Sequence, residues 1–249
     1  MTVVLVHGNP ETAAIWGPLV EALGRDDVVT LSPPGFGAPL PADFDATFVA
    51  YRDWLERELE RIDGPVDLVG HDWGGGHVVT AMMHRPDLVR SWVSDVLGVL
   101  DQDYVWHDMA QLWQTPVVGE EVVDAMMGAT AEERTEQLTG LGISHDIAGE
   151  LAAAQNADMG DAILKLYRSA AQPAMTDAGR ALEVAAATPG LAILATEDSY
   201  VGSAAIRRRA ADRAGAQTEV LEGLGHWWMI EDPQRAADVL TRFWSSLES

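Results

Sequence analysis

The chain has 249 residues, a length that fits one α/β domain with an insertion better than two complete domains. Hydrophobic residues make up 47% of it, too many for a disordered chain, and the formal net charge of −23 excludes nucleic-acid binding through phosphate contacts. The same charge disfavours anionic membranes and anionic substrates. The absence of cysteine excludes disulfides, thiol catalysis and cysteine metal sites.

The beginning of the sequence, MTVVLVHGNP, lacks the basic segment followed by an apolar segment that marks a secretory signal. No apolar run reaches the length of a membrane-spanning helix. We therefore expect a cytoplasmic monomer or homodimer whose partners are a small neutral molecule and water.

Short β-branched segments alternate with amphipathic ones in the first part of the chain. The sequence predicts strands at residues 2–6, 28–31, 66–69 and 92–97, and helices at 15–23, at 44–62 and from a glycine-rich turn to about 84. Near the C-terminus it predicts strands at 191–195 and 218–221 and helices at 206–214 and 233–247.

This alternation predicts an α/β fold with a mostly parallel sheet flanked by helices. Residues 99–187 break the alternation, because they are rich in Ala, Met and Glu and contain no convincing strand. We interpret them as a helical cap inserted after the fourth predicted strand, with residues 1–98 and 188–249 forming the core domain.

A candidate nucleophile lies between the third predicted strand and the following helix. The sequence from Gly70 to Gly74 has the small-x-nucleophile-x-small form of a nucleophile elbow, with Asp72 at the central position where serine is usual. Glycines suit a sharp turn that brings the strand and helix backbones close together. Since ligands of open α/β sheets bind at the carboxyl edge, Asp72 is the predicted nucleophile.

The expected chain order of partners is nucleophile, acid and then base. His226, in the loop after the last predicted strand, is the predicted base, and Asp198, after the strand before it, is the predicted orienting acid. Glu197, Asp95 and Asp101 remain alternatives for the acid, since each also follows a predicted strand.

The loop after the first strand supplies the remaining candidate groups. The backbone N–H groups of Asn9 and Trp73 are expected to form an oxyanion hole. We interpret His7 and His71 as structural. No histidines cluster with acids at metal-ligand spacing, so we expect no metal and no cofactor.

Together these motifs resemble the α/β-hydrolase superfamily, and in particular its branch with an aspartate nucleophile: epoxide hydrolases, haloalkane dehalogenases and fluoroacetate dehalogenases. The resemblance covers nearly the whole chain and implies that residues 99–187 correspond to that family's cap. It also implies that the usual first β-hairpin is missing, because the chain begins at what would be the third strand of the family's sheet.

The resemblance implies a reaction through a covalent ester. Asp72 attacks carbon, and a water activated by His226 then attacks the ester carbonyl. In epoxide hydrolases the leaving oxygen receives help from cap tyrosines. Tyr167 matches that position closely and Tyr104 is the candidate for the second, so the first prediction is an epoxide hydrolase that makes diols.

A haloalkane dehalogenase is the alternative. A departing halide needs N–H donors and no proton, and the family pairs a Trp after the nucleophile with an Asn in the first loop or with a cap Trp. Trp73 and Asn9 fit that pattern, and Trp106 and Trp113 lie in the insert.

The remaining alternatives are weaker. A fluoroacetate dehalogenase is disfavoured because Trp73 stands where that subfamily usually has Arg, and a non-catalytic or repurposed binding protein is disfavoured because all three triad positions are present. An uncharged, apolar substrate is expected, since Trp106, Trp113 and Trp227 are candidates for the pocket walls.

Overall fold

The computed structural model describes residues 1–248 and contains one parallel sheet of six strands. The strands are β1 (Thr2–Val6), β2 (Val28–Leu31), β3 (Val66–Gly70), β4 (Ser91–Ser94), β5 (Gly190–Ala195) and β6 (Gln217–Leu221). They are arranged in the order β2-β1-β3-β4-β5-β6, and every neighbouring pair is parallel. The predicted α/β architecture is therefore confirmed.

Helices cover both faces of this sheet and fill the chain between β4 and β5. They are α1 (Gly17–Leu23), α2 (Phe48–Leu59), α3 (Trp73–His84), α4 (Asp108–Gln114), α5 (Val118–Gly128), α6 (Ala131–Gly140), α7 (His145–Ala154), α8 (Ala157–Ser169), α9 (Ala174–Ala178), α10 (Ala204–Arg213), α11 (Trp228–Glu231) and α12 (Pro233–Ser246). Short 3-10 segments lie at Ala13–Trp16, Pro86–Leu88, Leu97–Leu100 and Gly179–Ala187.

The alternation of side chains along the central strands explains why both faces are covered. Val4 and Leu68 belong to a buried cluster with α2 and α3, whereas Leu5 and Val69 belong to a second cluster with α1 and α12. A strand that buries side chains on both faces is typical of a parallel sheet with a helical layer on each side.

Two predicted elements are shorter in the structure than in the sequence pattern. Helix α2 begins at Phe48 because the Thr47 side chain caps it by accepting a hydrogen bond from the Ala50 N–H. The predicted strand at 92–97 ends at Ser94, because the Ser94 hydroxyl accepts from the Val96 N–H and the chain turns into a 3-10 segment.

The described chain between β4 and β5 contains helices and turns and no strand, as the sequence pattern predicts. Helices α4, α5 and α8 pack together, α6 and α7 form a helical hairpin, and Gly179–Ala187 packs on α3 of the sheet layer. The division at residues 99 and 187 stays a prediction. None of the described helices has the length and apolar character needed to cross a membrane.

Candidate active site

The backbone at Asp72 is strained, and the surrounding glycines allow that strain. Asp72 has φ 50° and ψ −129°, a conformation that non-glycine residues rarely adopt, between the end of β3 and the start of α3. A Cβ at Gly74 would lie 2.1 Å from the Val6 carbonyl oxygen, and one at Gly70 would lie 2.5 Å from the Gly74 oxygen. The sharp turn therefore presents the Asp72 carboxylate at the carboxyl edge of the sheet.

His226 and Asp198 reach this carboxylate from the loops after β6 and β5. The His226 imidazole donates from Nδ1 to Asp198 Oδ2 at 2.9 Å, and its Nε2 lies 3.6 Å from Asp72 Oδ2. All three side chains lie at the same edge because the strands that carry them are parallel. The three residues that the sequence analysis selected are thus brought together in a line of nucleophile, base and acid.

The other acids considered from the sequence have different partners. Asp95 accepts hydrogen bonds from His71, and Asp101 forms an ion pair with Arg209. Glu197 is exposed on the outer side of its loop. Among these carboxylates, Asp198 is the one that contacts His226.

A buried arginine fixes the turn that carries Asp198. Arg207 donates from Nη1 to the Ala195 carbonyl at 2.8 Å, and the same oxygen accepts from the Asp198 N–H at 3.4 Å. Burial alone would raise the pKa of Asp198, but the charge and hydrogen bond of His226, with a contribution from Arg207, lower it. Asp198 is therefore held as a carboxylate.

The electrostatics of the pair between Asp72 and His226 follow from its burial. Desolvation would lower the pKa of His226, but the charges of Asp198 and Asp72 and the hydrogen bonds to both raise it well above its usual value. Desolvation would raise the pKa of Asp72, but His226, His71 and the Asn9 N–H lower it. Both shifts favour the ion pair of a protonated His226 with the Asp72 carboxylate.

The loop after β1 holds one carboxylate oxygen of Asp72. The Asn9 backbone N–H donates to Asp72 Oδ1 at 2.9 Å, and the Trp73 N–H, at the start of α3, has no acceptor within its own helix. A Cβ at Gly8 would overlap the Asp72 side chain, so only glycine fits there. This geometry agrees with the predicted oxyanion hole at Asn9 and Trp73, whose function stays a prediction.

Behind the elbow lies a buried network that the sequence analysis did not predict. His71, interpreted there as packing, donates to Asp95 and lies 3.4 Å from Glu11. Burial would lower the pKa of His71, but the charges of Asp95 and Glu11 raise it to about 10. The Trp227 and Trp228 indoles donate to Glu11 and Asp95 respectively, so both acids have several partners.

Glu11, His71 and His226 also form a buried group whose possible ligand atoms lie within 4.8 Å of one another. His226 already bonds Asp198 and His71 bonds Asp95, while Glu11 accepts from the Trp227 indole and from the Gly8 N–H. We therefore assign these side chains to the hydrogen-bond network.

A cavity of about 260 Å³ opens onto Asp72 and His226. Trp113 and Trp227 line it, as predicted for pocket walls, whereas Trp106 lines a smaller void of about 20 Å³ that also borders Asp72. The rings of His107, Tyr167 and Tyr200 border both spaces.

The two predicted leaving-group tyrosines differ in their surroundings. The Tyr104 hydroxyl donates to the Tyr200 carbonyl at 2.7 Å, so it is occupied by the protein. Tyr167 borders both spaces together with Asp72, and its ring centroid lies 5.4 Å from that of Trp73. Burial and the charge of Asp72 raise the pKa of Tyr167 well above its usual value. Tyr167 is therefore a neutral phenol beside the candidate nucleophile.

His107 is a further residue that sequence reasoning missed. Its Nδ1 accepts from the Ala110 N–H at 3.3 Å and caps helix α4, so a neutral ring carries its proton on Nε2. Burial lowers the pKa of His107 from its usual value, which favours that neutral form. The sequence carries no signal for this role, since histidine is not among the residues that commonly cap the start of a helix.

Comparison with known proteins identifies the family. The model of the alpha/beta hydrolase family matches residues 3–239, and the chain belongs to that family. No curated protein matches the chain in sequence.

Several solved structures share the fold at low sequence identity. A loop variant of a haloalkane dehalogenase from Bradyrhizobium elkanii superimposes with a TM-score of 0.75 at 20% identity, over 98% of this chain and 90% of that one. An E-2-(acetamidomethylene)succinate hydrolase gives 0.70 at 20% identity, over 98% and 91% of the chains. A thioesterase domain from the curacin biosynthetic pathway gives 0.71 at 15%, over 97% and 90%. These three names describe different reactions, so the similarity establishes the fold alone.

The close packing of Gly74 against the end of β1 predicts that a side chain at this position lowers the stability of the protein. Gly74→Ala should destabilise the protein by about 2 kcal/mol or more, because its Cβ would overlap the backbone oxygens of Val6 and His7 at the end of β1. Gly149→Ala, inside α7 with no atom near its Cβ, is the matched control and should be neutral or stabilising by up to about 1 kcal/mol. Urea denaturation of both variants measures this, and equal midpoints would contradict the packing argument.

Proposed function

We propose that this protein is an epoxide hydrolase that works through a covalent ester on Asp72. The observation that carries the proposal is that Tyr167, a neutral phenol, borders the same two cavities as the Asp72 carboxylate and packs edge-on against the Trp73 ring. A carboxylate cannot use the serine alkoxide mechanism, but it can attack a carbon that bears a leaving oxygen. The phenol supplies the proton that this oxygen needs.

In the first step, Asp72 Oδ2 is the attacking atom, because Oδ1 is held by the Asn9 N–H and remains the carbonyl oxygen. A bond forms between Oδ2 and an epoxide carbon while the bond between that carbon and the ring oxygen breaks. The ring oxygen takes the proton of Tyr167, and the phenolate regains a proton from solvent. The product of this step is a hydroxyalkyl ester of Asp72.

A second donor to the ring oxygen is available at the same place. The His107 Nε2–H belongs to a neutral imidazole at the border of both cavities, next to Tyr167. We assign this donor role to His107 in place of Tyr104, whose hydroxyl is already donated to Tyr200.

In the second step, His226 takes a proton from water, and the hydroxide attacks Cγ of Asp72. The negative charge develops on Oδ1, where the N–H groups of Asn9 and Trp73 stabilise it. The bond between Cγ and Oδ2 then breaks. The departing alkoxide keeps Oδ2 and takes the proton from His226 to give the diol. Esterification removes the charge of Asp72, one of the causes that raise the pKa of His226, so the imidazolium loses its proton to solvent more readily and the neutral imidazole can then accept one from water.

Haloalkane dehalogenation is the second candidate, and a specific observation favours it. The side-chain Nδ2 of Asn9 and the indole Nε1 atoms of Trp106 and Trp113 are buried without hydrogen-bond partners. Such N–H groups can stabilise a halide, which needs no proton. We rank this candidate second, because Trp106 and Trp113 border different cavities, whereas Tyr167 borders both cavities beside Asp72.

The ester can be trapped by removing the base. His226→Gln should still form the ester with styrene oxide but hydrolyse it about 10²-fold or more slowly, because no group deprotonates the water. Mass spectrometry of the intact protein and its peptides should show the substrate's mass added at Asp72. Asp72→Asn/His226→Gln is the control and should stay unmodified, while an adduct on another residue would overturn the nucleophile assignment.

Two variants distinguish the two candidate reactions. Tyr167→Phe should slow diol formation from styrene oxide by about 10²-fold, because the leaving oxygen loses its proton donor, and should barely affect bromide release from bromohexane. Asn9→Ala, which keeps the backbone N–H, should do the reverse. Wild-type protein that releases bromide and makes no diol would replace the first candidate by the second.

The two steps should differ in their dependence on pH. Ester formation should persist at mildly acidic pH, since His226, His71 and the Asn9 N–H lower the pKa of Asp72 and keep it ionised. Ester hydrolysis should fall as pH decreases, because protonated His226 cannot accept a proton from water. Stopped-flow fluorescence measures the rate of each step. The same loss of rate at low pH in both steps would contradict this assignment.

A further inference from the structure

The cavity that reaches Asp72 also contains an arginine. Arg134 on α6 lines the same space of about 260 Å³ as Asp72 and His226. The wall includes these apolar side chains: Met109, Trp113, Met126, Leu138 and Leu141. One cavity thus has a nucleophile, an apolar wall and a guanidinium group.

The positive charge of Arg134 has no acidic partner in the described part of the chain. Its Nε donates to the Ala152 carbonyl at 3.1 Å, and its Nη1 donates to the carbonyls of Met127 and Ala129 at 3.0 and 2.5 Å. These three acceptors are neutral, and residues 1–248 offer no carboxylate within ion-pair distance of it. They also fix the guanidinium in place and leave both N–H groups of Nη2 for a ligand.

Two amides lie near the same wall. Gln155 donates from Nε2 to the Pro10 carbonyl, which ties helix α7's C-terminal end to the loop that binds Asp72. Gln137 is exposed and lines the cavity one turn after Arg134 on α6. The polar part of the wall therefore combines a fixed cation with an amide donor.

We propose that the substrate carries a carboxylate at the end remote from its reacting carbon, and that Arg134 binds this carboxylate. The proposal rests on the epoxide hydrolase function above and specifies its substrate class: an amphipathic monoanion with an apolar middle. The net charge of −23 predicted a neutral substrate, but an unpaired guanidinium in the cavity wall provides the local attraction that overrides the field of the whole protein.

The test compares matched substrates within each protein variant. Terminal epoxides with a far-end carboxylate, in a series of chain lengths, are compared with the primary amides of the same length. Wild type should prefer the carboxylate in kcat/KM at the best length, and Arg134→Met should reduce that preference by about tenfold. Arg134→Lys should retain part of it, since lysine keeps the charge and loses the planar group.

The ratio of kcat/KM for the two substrates cancels any general effect of the substitution on the helices between β4 and β5, because both substrates experience that effect equally. Arg180→Met is the matched control, since Arg180 is exposed and pairs with Asp177 outside this cavity. It should leave the ratio unchanged. An amide preference in wild type, or the same ratio in wild type and Arg134→Met, would overturn the proposal.

Binding of unreactive ligands separates this proposal from the proposed function. Straight-chain alkanoates should bind wild type more tightly than the matching alkanamides, and Arg134→Met should abolish the difference, as measured by calorimetry. If this holds while no epoxide is hydrolysed, the carboxylate site stands and the epoxide function fails. If epoxy amides are hydrolysed but alkanoates bind no better than alkanamides, the function stands and the carboxylate site fails.

Discussion

The strained backbone at Asp72 is the constraint on which the rest of the site depends. A positive φ at a non-glycine residue persists only where the surrounding structure holds it. Here α3 packs so closely on β1 and β3 that Gly70 and Gly74 have no room for a Cβ. The direction of the carboxylate is thereby set by the packing of the core and not by a flexible loop.

The second requirement is the balance of buried charge around that turn. Near the elbow the side chain of Asp72 is 16% exposed, and the following charged side chains are buried: Glu11, Asp95, Asp198, His71, His226 and Arg207. An isolated buried charge is costly, so each of these groups persists because it has hydrogen-bond partners or opposite charges nearby. Alkylation of Asp72 removes one negative charge from this set, and in the proposed mechanism that change lowers the pKa of His226, so that the imidazolium can lose its proton and then act as the base.

The sequence predicted the elements that position the site, since strand-turn-helix patterns are local. Asp72 follows from the glycines around it, and the expected chain order leads to His226. The sequence selected Asp198 as the acid but left Glu197, Asp95 and Asp101 as alternatives, because the contact between Asp198 and His226 depends on the turn fixed by Arg207.

The donors to the leaving group were harder to predict, because they depend on contacts between distant segments. The hydroxyl of Tyr104 is donated to the carbonyl of Tyr200, which lies beyond the whole insert in the chain. The tautomer of His107 depends on one capping hydrogen bond, and the orientation of Arg134 depends on three carbonyls at the C-terminal ends of α5 and α7. Sequence patterns predict that such residues lie in a cap but not what their polar atoms contact.

The covalent ester is the central claim, and a single turnover in ¹⁸O-labelled water tests it most directly. With enzyme in excess over epoxide, the oxygen added to the diol should come from Asp72 and be unlabelled, while the peptide that contains Asp72 gains the label. A labelled diol formed in that first turnover, with no label in the Asp72 peptide, would show direct attack by water and contradict the account.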